Sequence, residues 1–338
     1  MNARVESLPP GWALAGVDLG GTKIAVCVAD ASGVRARRRV PVPLTGDEFT
    51  IARTITELVL ACCSDAGLAP SSLSAVGVSA CGPFVGEPGH LASAAPNLCG
   101  GLSKGALLPN RWTRVPIEAP LRQAFGEVVL TNDAQAALLA EHRFGALQGV
   151  ADCAYLTWST GIGVGLMLDG RLLRGKSGNA GHAGHSVVPS EATDAGRCAC
   201  GNESDVESIA GGAALAQRWG ADTQSLFAAC RQGDPAARAR VDRAIDAVAD
   251  LIYNLIVTLD LGRVAIGGGL FCAQADLLLP ALRERVFESA RRPGMRGMLT
   301  GVRIEPIEDP GRTSELGALA LVAPVGWQPA QQSSMIAA

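Results

Sequence analysis

The stretch ALAGVDLGGTKIAVCVAD, residues 13–30, decides the fold. ALAGVDLGG reads as a strand ending in a Gly-Gly turn, and TKIAVCVAD as the strand that returns. Ala31-Ser32-Gly33 turns the chain again into VRARRRVPV at 34–42, giving a three-stranded meander with a glycine-rich first turn. The plan recurs at 153–175. There CAYLTWSTG is a strand, IGVGLML returns, Asp169-Gly170 is a hairpin turn and RLLRG leaves it. Helix and strand patterns follow each meander. In the first half, Ile51, Ile55, Leu58, Val59 and Cys62 share one helical face and AVGVSACG (75–82) is a buried strand. In the second, Val241, Ile245, Val248, Ile252, Leu255, Ile256 and Leu259 mark a long helix before the strand RVAIGGG (263–269). The class is α/β, with a duplicated architecture.

Composition narrows the function. The 338 residues admit two domains, and 48% hydrophobic against 18% charged residues supply a large core. A net charge of −3 argues against a nucleic-acid binder working through a broad basic surface. The run Arg35 to Arg39 reads as a solvated strand or turn edge. No apolar stretch approaches the roughly 18 residues of a membrane span, and the N-terminus lacks a signal-peptide core. The expectation is a cytoplasmic protein whose ten cysteines are thiols or metal ligands. Cys27, Cys62, Cys63, Cys153, Cys230 and Cys272 lie in apolar runs and are expected in the core.

Three glycine turns are candidate anion cradles. Gly20, Gly21 and Thr22 follow Asp18 in the first meander; Thr160, Gly161 and Gly163 sit at the same place in the second. Glycine lets backbone N–H groups approach a phosphate, threonine adds a hydroxyl, and a strand-end aspartate can hold a cation through water. Gly267, Gly268 and Gly269 follow a strand and offer a surface under an adenosine. Each turn alone is also compatible with a plain hairpin. A dinucleotide fold is excluded, because no Gly-x-Gly-x-x-Gly opens a helix after the first strand. Lys23 either reaches the phosphates or points to solvent.

In VVLTNDAQAALLAEHRFG (128–145) a strand runs into a helix, with Asn132 and Asp133 at the junction. They read first as helix caps, and otherwise as a ligand-binding pair at a strand's C-terminal end, where a carboxylate can take a proton from a hydroxyl. Cys198 and Cys200 of CACGNESDVE are spaced as half of a metal site.

In ordered sequence these segments strongly resemble the ROK family (repressor, open reading frame, kinase) from about Gly16 to Ala320. The resemblance rests on GVDLGGTKIAV, GVSACGPF, APNL, TNDAQAALLAE, STGIGVG, AGHAGH, CACG, AIGGGL and ELGALAL. It implies the actin-like, hexokinase-like (ribonuclease H-like) duplicated fold, with two α/β domains around a cleft. The expected bounds are a smaller N-terminal domain over 11–131, completed by a C-terminal helix near 314–325, and a larger domain over 132–313. The larger domain would carry a metal-loop region at 182–207, and 1–10 and 326–338 would be loose termini. It further implies Mg-ATP (Mg2+ as cofactor), transfer to a hexose 6-hydroxyl and a homodimer, with no nucleic acid or membrane partner.

Carried over, Asp133 is the general base, and Gly82, Asn97 and Asn132 contact the sugar. Asp18, Gly20, Gly21 and Thr22 form one phosphate loop, Thr160 and Gly161 the other, and Gly268 and Gly269 the adenine side. The family's loop, Cys-x-Cys-Gly-x-x-Gly-Cys-x-Glu with an upstream Glu-x-Gly-His, is altered here. Cys198, Cys200, Gly201, Glu207 and His185 are kept; Ser204 replaces the second glycine, Asp205 the third cysteine and His182 the glutamate. His185, Cys198, Cys200 and Asp205 are then the expected ligands of a structural Zn2+, since zinc accepts a carboxylate oxygen. The other reading is a loop held by hydrogen bonds without metal. His185 and Glu207 would also face the sugar, and so would His182.

Imidazole donates one hydrogen bond and accepts one, where glutamate only accepts. The expected substrate is therefore glucose, or an amino-glucose such as glucosamine or 3-amino-3-deoxyglucose (kanosamine), with N-acetylmannosamine or another hexose as the alternative. The family's repressors carry an N-terminal helix-turn-helix; with the phosphate loop starting by residue 18, none is expected. A non-catalytic sugar sensor is the alternative of another class.

Overall fold

The computed structural model describes residues 11–102, 108–188, 198, 200–287, 293–308 and 313–329. The expected loose ends 1–10 and 330–338, and residues 189–197 and 199 of the expected metal loop, lie outside the described residues. The chain divides into two compact units, Met1–Ala140 with Arg312–Ala338, and Glu141–Gly311.

The first unit is built on β1 (Ala13–Leu19), β2 (Lys23–Asp30), β3 (Gly33–Pro41), α1 (Thr50–Asp65) and β4 (Leu73–Ala80). A small sheet follows, from β5 (Phe84–Val85), β6 (Ala92–Ser93) and β7 (Val115–Pro116), then α2 (Glu118–Phe125), β8 (Val128–Asn132) and α3 (Asp133–Phe144). The main sheet has the order β3-β2-β1-β4-β8. β1 lies between β2, antiparallel, and β4, parallel, and all its residues are buried. Such a strand needs an unbroken apolar run, and only Asp18 interrupts it. β3 is the edge, with its arginines turned to solvent. Arg35, Arg37 and Arg38 pair there with Asp30, Glu315 and Asp65. α1 lays Ile51, Ile55, Leu58, Val59 and Cys62 into the core, the face its period predicts. Each fully buried aliphatic side chain contributes about 1.5–3 kcal/mol.

The second unit repeats the plan. β9 (Cys153–Trp158), β10 (Ile162–Leu168) and β11 (Arg171–Leu172) form the meander. Then come α4 (Val206–Ala210), α5 (Gly212–Trp219), α6 (Thr223–Arg231), α7 (Pro235–Leu259), β12 (Arg263–Gly267), α8 (Gly269–Ala273), α9 (Ala275–Phe287), α10 (Arg296–Leu299) and β13 (Arg303–Pro306). The sheet order, β11-β10-β9-β12-β13, matches the first strand for strand. α7 starts where Asp234 accepts from the Ala237 N–H at 2.8 Å and Pro235 takes the first helical position. Its buried stripe contains Val241, Ile245, Val248, Ile252 and Ile256; Leu255 and Leu259 flank it, partly exposed.

α11 (Thr313–Ala320) returns to the first unit and packs on β1 and β4. Gly16 and Gly77 make room for it: a Cβ at Gly16 would lie 2.9 Å from Leu319 Cγ, and one at Gly77 would overlap the Ala318 carbonyl oxygen.

Several expectations need correction. α11 ends at Ala320, short of the expected 325. The division after Ala140 falls inside α3, later than the boundary expected after 131, because β8 pairs in the first sheet and carries the start of α3 with it. The end is not loose from 326: Trp327 is buried and its Nε1–H donates to the Asp30 carbonyl at 2.9 Å. Cys230 and Cys272 are partly exposed rather than core, since each sits at the margin of a helix's apolar face; all ten cysteines are free thiols.

Candidate active site

The parallel strands of the first sheet end level. Leu19 of β1 pairs with Ala80 of β4, and Ala80 with Asn132 of β8. Whatever follows these strands leaves the sheet along one edge: Gly20–Thr22, then Cys81–Gly82, then Asp133. That is where open α/β sheets receive ligands.

The Gly20–Thr22 turn is pinned by Gly20 N–H to the Lys23 carbonyl (3.0 Å) and by Val42 N–H to the Thr22 carbonyl (3.1 Å). Asn97 packs directly on Gly21, where a Cβ would overlap its Nδ2. Asp18, one turn inside, is only 8% exposed, and its Oδ1 accepts from Ser79 Oγ at 3.2 Å. Burial first, and the charge of Asp133 second, push its carboxyl up to about 6. Lys23 is exposed, and its ammonium offsets part of that shift. Asp133 is exposed and Asn132 buried. Both side chains accept from the Ala134 N–H, at 2.8 and 3.0 Å. Asn132 thus caps α3, while Asp133 is the exposed first residue of that helix and its charge reaches the buried Asp18 carboxylate.

The second unit repeats the edge. Thr157 of β9 is level with Gly267 of β12. The turn after β9 closes through Ser159 N–H to the Gly161 carbonyl at 3.0 Å. The Ser159 and Thr160 carbonyls accept from Gly212 and Ala213 N–H at 2.8 and 3.0 Å, tying this turn to the start of α5. Gly268 (φ +97°) crosses the β9 backbone so closely that a Cβ would lie 2.5 Å from the Trp158 carbonyl oxygen; beside Gly269 the space is open.

AGHAGH lies along β10. Gly181 and Gly184 press on the Val164 and Ile162 carbonyls, where a Cβ on either would overlap. His182 Nδ1 is 2.9 Å from the Asn179 carbonyl, so in a neutral ring that nitrogen carries the proton and Nε2 is the acceptor. The His182 and His185 rings stack at 6.2 Å.

His185, Cys198, Cys200 and Asp205 converge, with one ligand atom of each within 4.8 Å of all the others. His185 Nδ1 lies 3.2 Å from Asp205 Oδ2, 3.6 Å from Cys198 Sγ and 3.5 Å from Cys200 Sγ; Cys200 Sγ is 3.6 Å from Asp205 Oδ2. A tetrahedral zinc with bonds of about 2.0–2.3 Å needs ligand atoms about 3.3–3.8 Å apart, so the set fits. Asp205 is fully buried and divides its oxygens: Oδ1 caps α4 at the Ser208 N–H (2.7 Å), while Oδ2 faces the cluster. Burial raises its proton affinity, but the His185 ring and Ser208 outweigh that and hold it below the usual carboxylate range. The hydrogen bond to Asp205 raises His185, and burial pushes the Cys198 thiol up strongly. Backbone N–H groups of Cys200 and Asn202 point at Cys198 and Cys200 sulfur, each at 3.5 Å, an outer shell suited to thiolates.

Glu207 is more committed than sequence reasoning expects. Its Oε2 accepts from the Ile162 N–H at 2.9 Å, its Oε1 is 3.3 Å from Cys198 Sγ, and a Cβ on Gly161 would overlap it. Sequence reasoning also missed Ser79. The Ser79 partnership has no local signal, but the three-residue repeat of glycine in AGHAGH marks a close backbone approach.

The sequence pattern of the ROK family matches residues 14–324. The N-acetylmannosamine kinase of Shigella boydii serotype 18 is 32% identical over 271 residues, 78% of this chain and 85% of that protein. The enzyme of that name from Escherichia coli O157:H7 is 31% identical over 275 residues, with the same coverage. A ROK hexokinase from Thermus thermophilus superposes with a TM-score of 0.70 at 30% identity, over 92% of this chain and 97% of that one. A ROK family glucokinase from Streptomyces griseus, solved with glucose and AMPPNP, gives 0.59 at 26% identity, over 92% and 99%. The two sheets of like order are thus the duplicated halves of the actin-like fold.

Proposed function

This chain belongs to the ROK family, and on that premise we propose that it is a sugar kinase moving the γ-phosphoryl group of ATP to the 6-hydroxyl of glucose or an amino-glucose. The observation that carries the reading is the level edge of β1, β4 and β8, which gathers a glycine turn, a buried carboxylate and a solvent-exposed one. Asp133 takes the proton from the sugar hydroxyl as that oxygen attacks phosphorus. Asn97, Asn132 and the Gly82 backbone orient the sugar so that this hydroxyl meets Asp133. Phosphoryl transfer has a loose transition state, so positioning and charge neutralisation supply most of the rate. Gly20, Gly21 and Thr22, with Thr160 and Gly161 in the other unit, offer backbone N–H and hydroxyl donors to phosphate oxygens. Gly268 and Gly269 give a side-chain-free surface for the adenine. Mg2+, when bound, neutralises phosphate charge, and Asp18 is the carboxylate that would hold it.

His185, Cys198, Cys200 and Asp205 would hold a structural Zn2+. In the second unit His182, His185 and Glu207 are the side chains offered to the sugar. With Nδ1 on Asn179, neutral His182 presents one acceptor, which suits an amine or hydroxyl donor. N-acetylmannosamine is the second reading, favoured by relatives that carry that name. We take the assembly to be a homodimer. No helix among the described residues is long and apolar enough to cross a membrane.

The test is ADP release with Mg-ATP over glucose, mannose, fructose, glucosamine, N-acetylmannosamine, N-acetylglucosamine and 3-amino-3-deoxyglucose. One sugar is expected to dominate, and Asp133→Ala to lower its turnover by about 10²–10⁴. Silence across the panel from folded protein would reject these substrates in favour of another sugar or a non-catalytic sugar sensor.

A further inference from the structure

Glu207 is the side chain that touches both the four-ligand cluster and the turn after β9. On one side is the four-ligand cluster. Cys198 Sγ lies 3.3 Å from Glu207 Oε1, and Asp205 begins the helix on which Glu207 stands. On the other side is the turn after β9: Oε2 holds the Ile162 N–H at 2.9 Å and fills the space above Gly161. The helix end is also tied to that turn's neighbour, since Gly211 N–H donates to the Glu207 carbonyl and Gly212 N–H to the Ser159 carbonyl, both at 2.8 Å. Asp205 cannot move without α4, because the oxygen that caps Ser208 and the oxygen facing the cluster belong to one carboxylate.

We propose that Glu207 is a positioning residue through which metal occupancy of the cluster sets the Thr160–Gly161 turn, and with it the affinity for nucleotide. An ion takes the proton from Cys198, whose thiol otherwise donates to Glu207 Oε1, and fixes Asp205 and with it the first turn of α4, so that the Glu207 carboxylate is left with the Ile162 N–H as its partner. The Ile162 N–H is then held and the turn keeps one shape. Without the ion the ligands separate, the start of α4 loosens, and the carboxylate leaves the turn. Binding at the two places is therefore coupled, and the coupling is reciprocal. This rests on the reading of the Thr160–Gly161 turn as a phosphate site, and it adds a control of that site by a group that touches no phosphate.

Two readouts test it without turnover. The first is hydrogen exchange of the peptide containing Ile162, in zinc-loaded and chelator-stripped full-length protein. Stripping is expected to speed exchange there in the wild type by about fivefold or more and to change little in Glu207→Ala. Glu207→Gln, which keeps an acceptor oxygen for Ile162, is expected to behave as the wild type and guards against a folding defect in the alanine variant. The second is AMPPNP binding by calorimetry. Its Kd is expected to rise about fivefold or more on stripping in the wild type, and to be independent of zinc in Glu207→Ala. Metal content of all three proteins should be equal when loaded, since Glu207 is outside the ligand set. Unchanged exchange at Ile162 on stripping, or an equal change in Glu207→Ala, would overturn the link. A changed exchange with an unchanged AMPPNP Kd would overturn its nucleotide half. Absence of AMPPNP binding even to loaded protein would instead reject the kinase reading, with the exchange result still deciding the link.

Discussion

Asp18 costs the protein stability in return for its place behind the Gly20–Thr22 turn. Its carboxyl moves from 3.8 to about 6, through burial and then through Asp133. At 1.36 kcal/mol per pH unit, that corresponds to at most about 3 kcal/mol. The sign follows from which state holds the proton. Between about pH 4 and 6 the folded state keeps the proton that the unfolded state has lost. Stability from this group is thus full below about pH 4 and falls as pH rises through about 6. Asp18→Asn removes the charge and keeps an oxygen to accept from Ser79 Oγ. The variant should match the wild type at pH 4 and exceed it by up to about 3 kcal/mol at pH 7.5. For a unit of this size that is roughly 6–12 °C in Tm. The assay is thermal melting from pH 4 to 8 without divalent cation or nucleotide, because either would stabilise the wild type by binding. Phosphoryl transfer should be lost in the same variant. A folded Asp18→Asn protein whose Tm follows the wild-type pH profile, or lies below it at pH 7.5, would refute the reasoning.

Gly77→Ala should destabilise by about 3 kcal/mol or more, since its methyl would overlap the Ala318 carbonyl and lift α11 from the sheet; urea denaturation measures it. Gly268→Ala combines a positive φ with a Cβ 2.5 Å from the Trp158 carbonyl oxygen, and should lower Tm and weaken nucleotide binding together. Chelation should lower the melting temperature of zinc-loaded protein and leave Cys200→Ser largely unaffected, because that variant has lost one of the four ligands.

What was legible in the sequence was what local chemistry writes. The β1–β2–β3 meander and its repeat at β9–β11 show in alternating apolar runs broken by glycine turns. Of the four cluster residues, Cys198 and Cys200 show in their spacing, and His185 and Asp205 were added from the resemblance to the ROK loop. The β5–β7 sheet was not legible, because two-residue strands have no period to read. The division inside α3 was hidden because a helix pattern does not say which sheet its halves serve. Glu207 was read as a sugar contact from resemblance, and its bond to Ile162 arises only once α4 and β10 are side by side. The exposure of Cys230 and Cys272 depends on which helix margins find a neighbour, and an apolar run leaves that open.

The glycines at 16 and 77 have a consequence for how the protein is made. All strands of the first sheet have been synthesised once Asn132 has been added. Yet the face bearing those glycines stays bare until Thr313–Ala320 follows. The second unit, one continuous segment, can close while the first still waits for its last helix. The usual order of folding, N-terminal part first, is therefore expected to be reversed here. A nascent chain stalled before α11 presents an apolar sheet face of the first unit to the cell, and one stalled before β13 lacks in addition an edge strand of the second sheet. The first half of the message is thus the half most in need of a chaperone's cover.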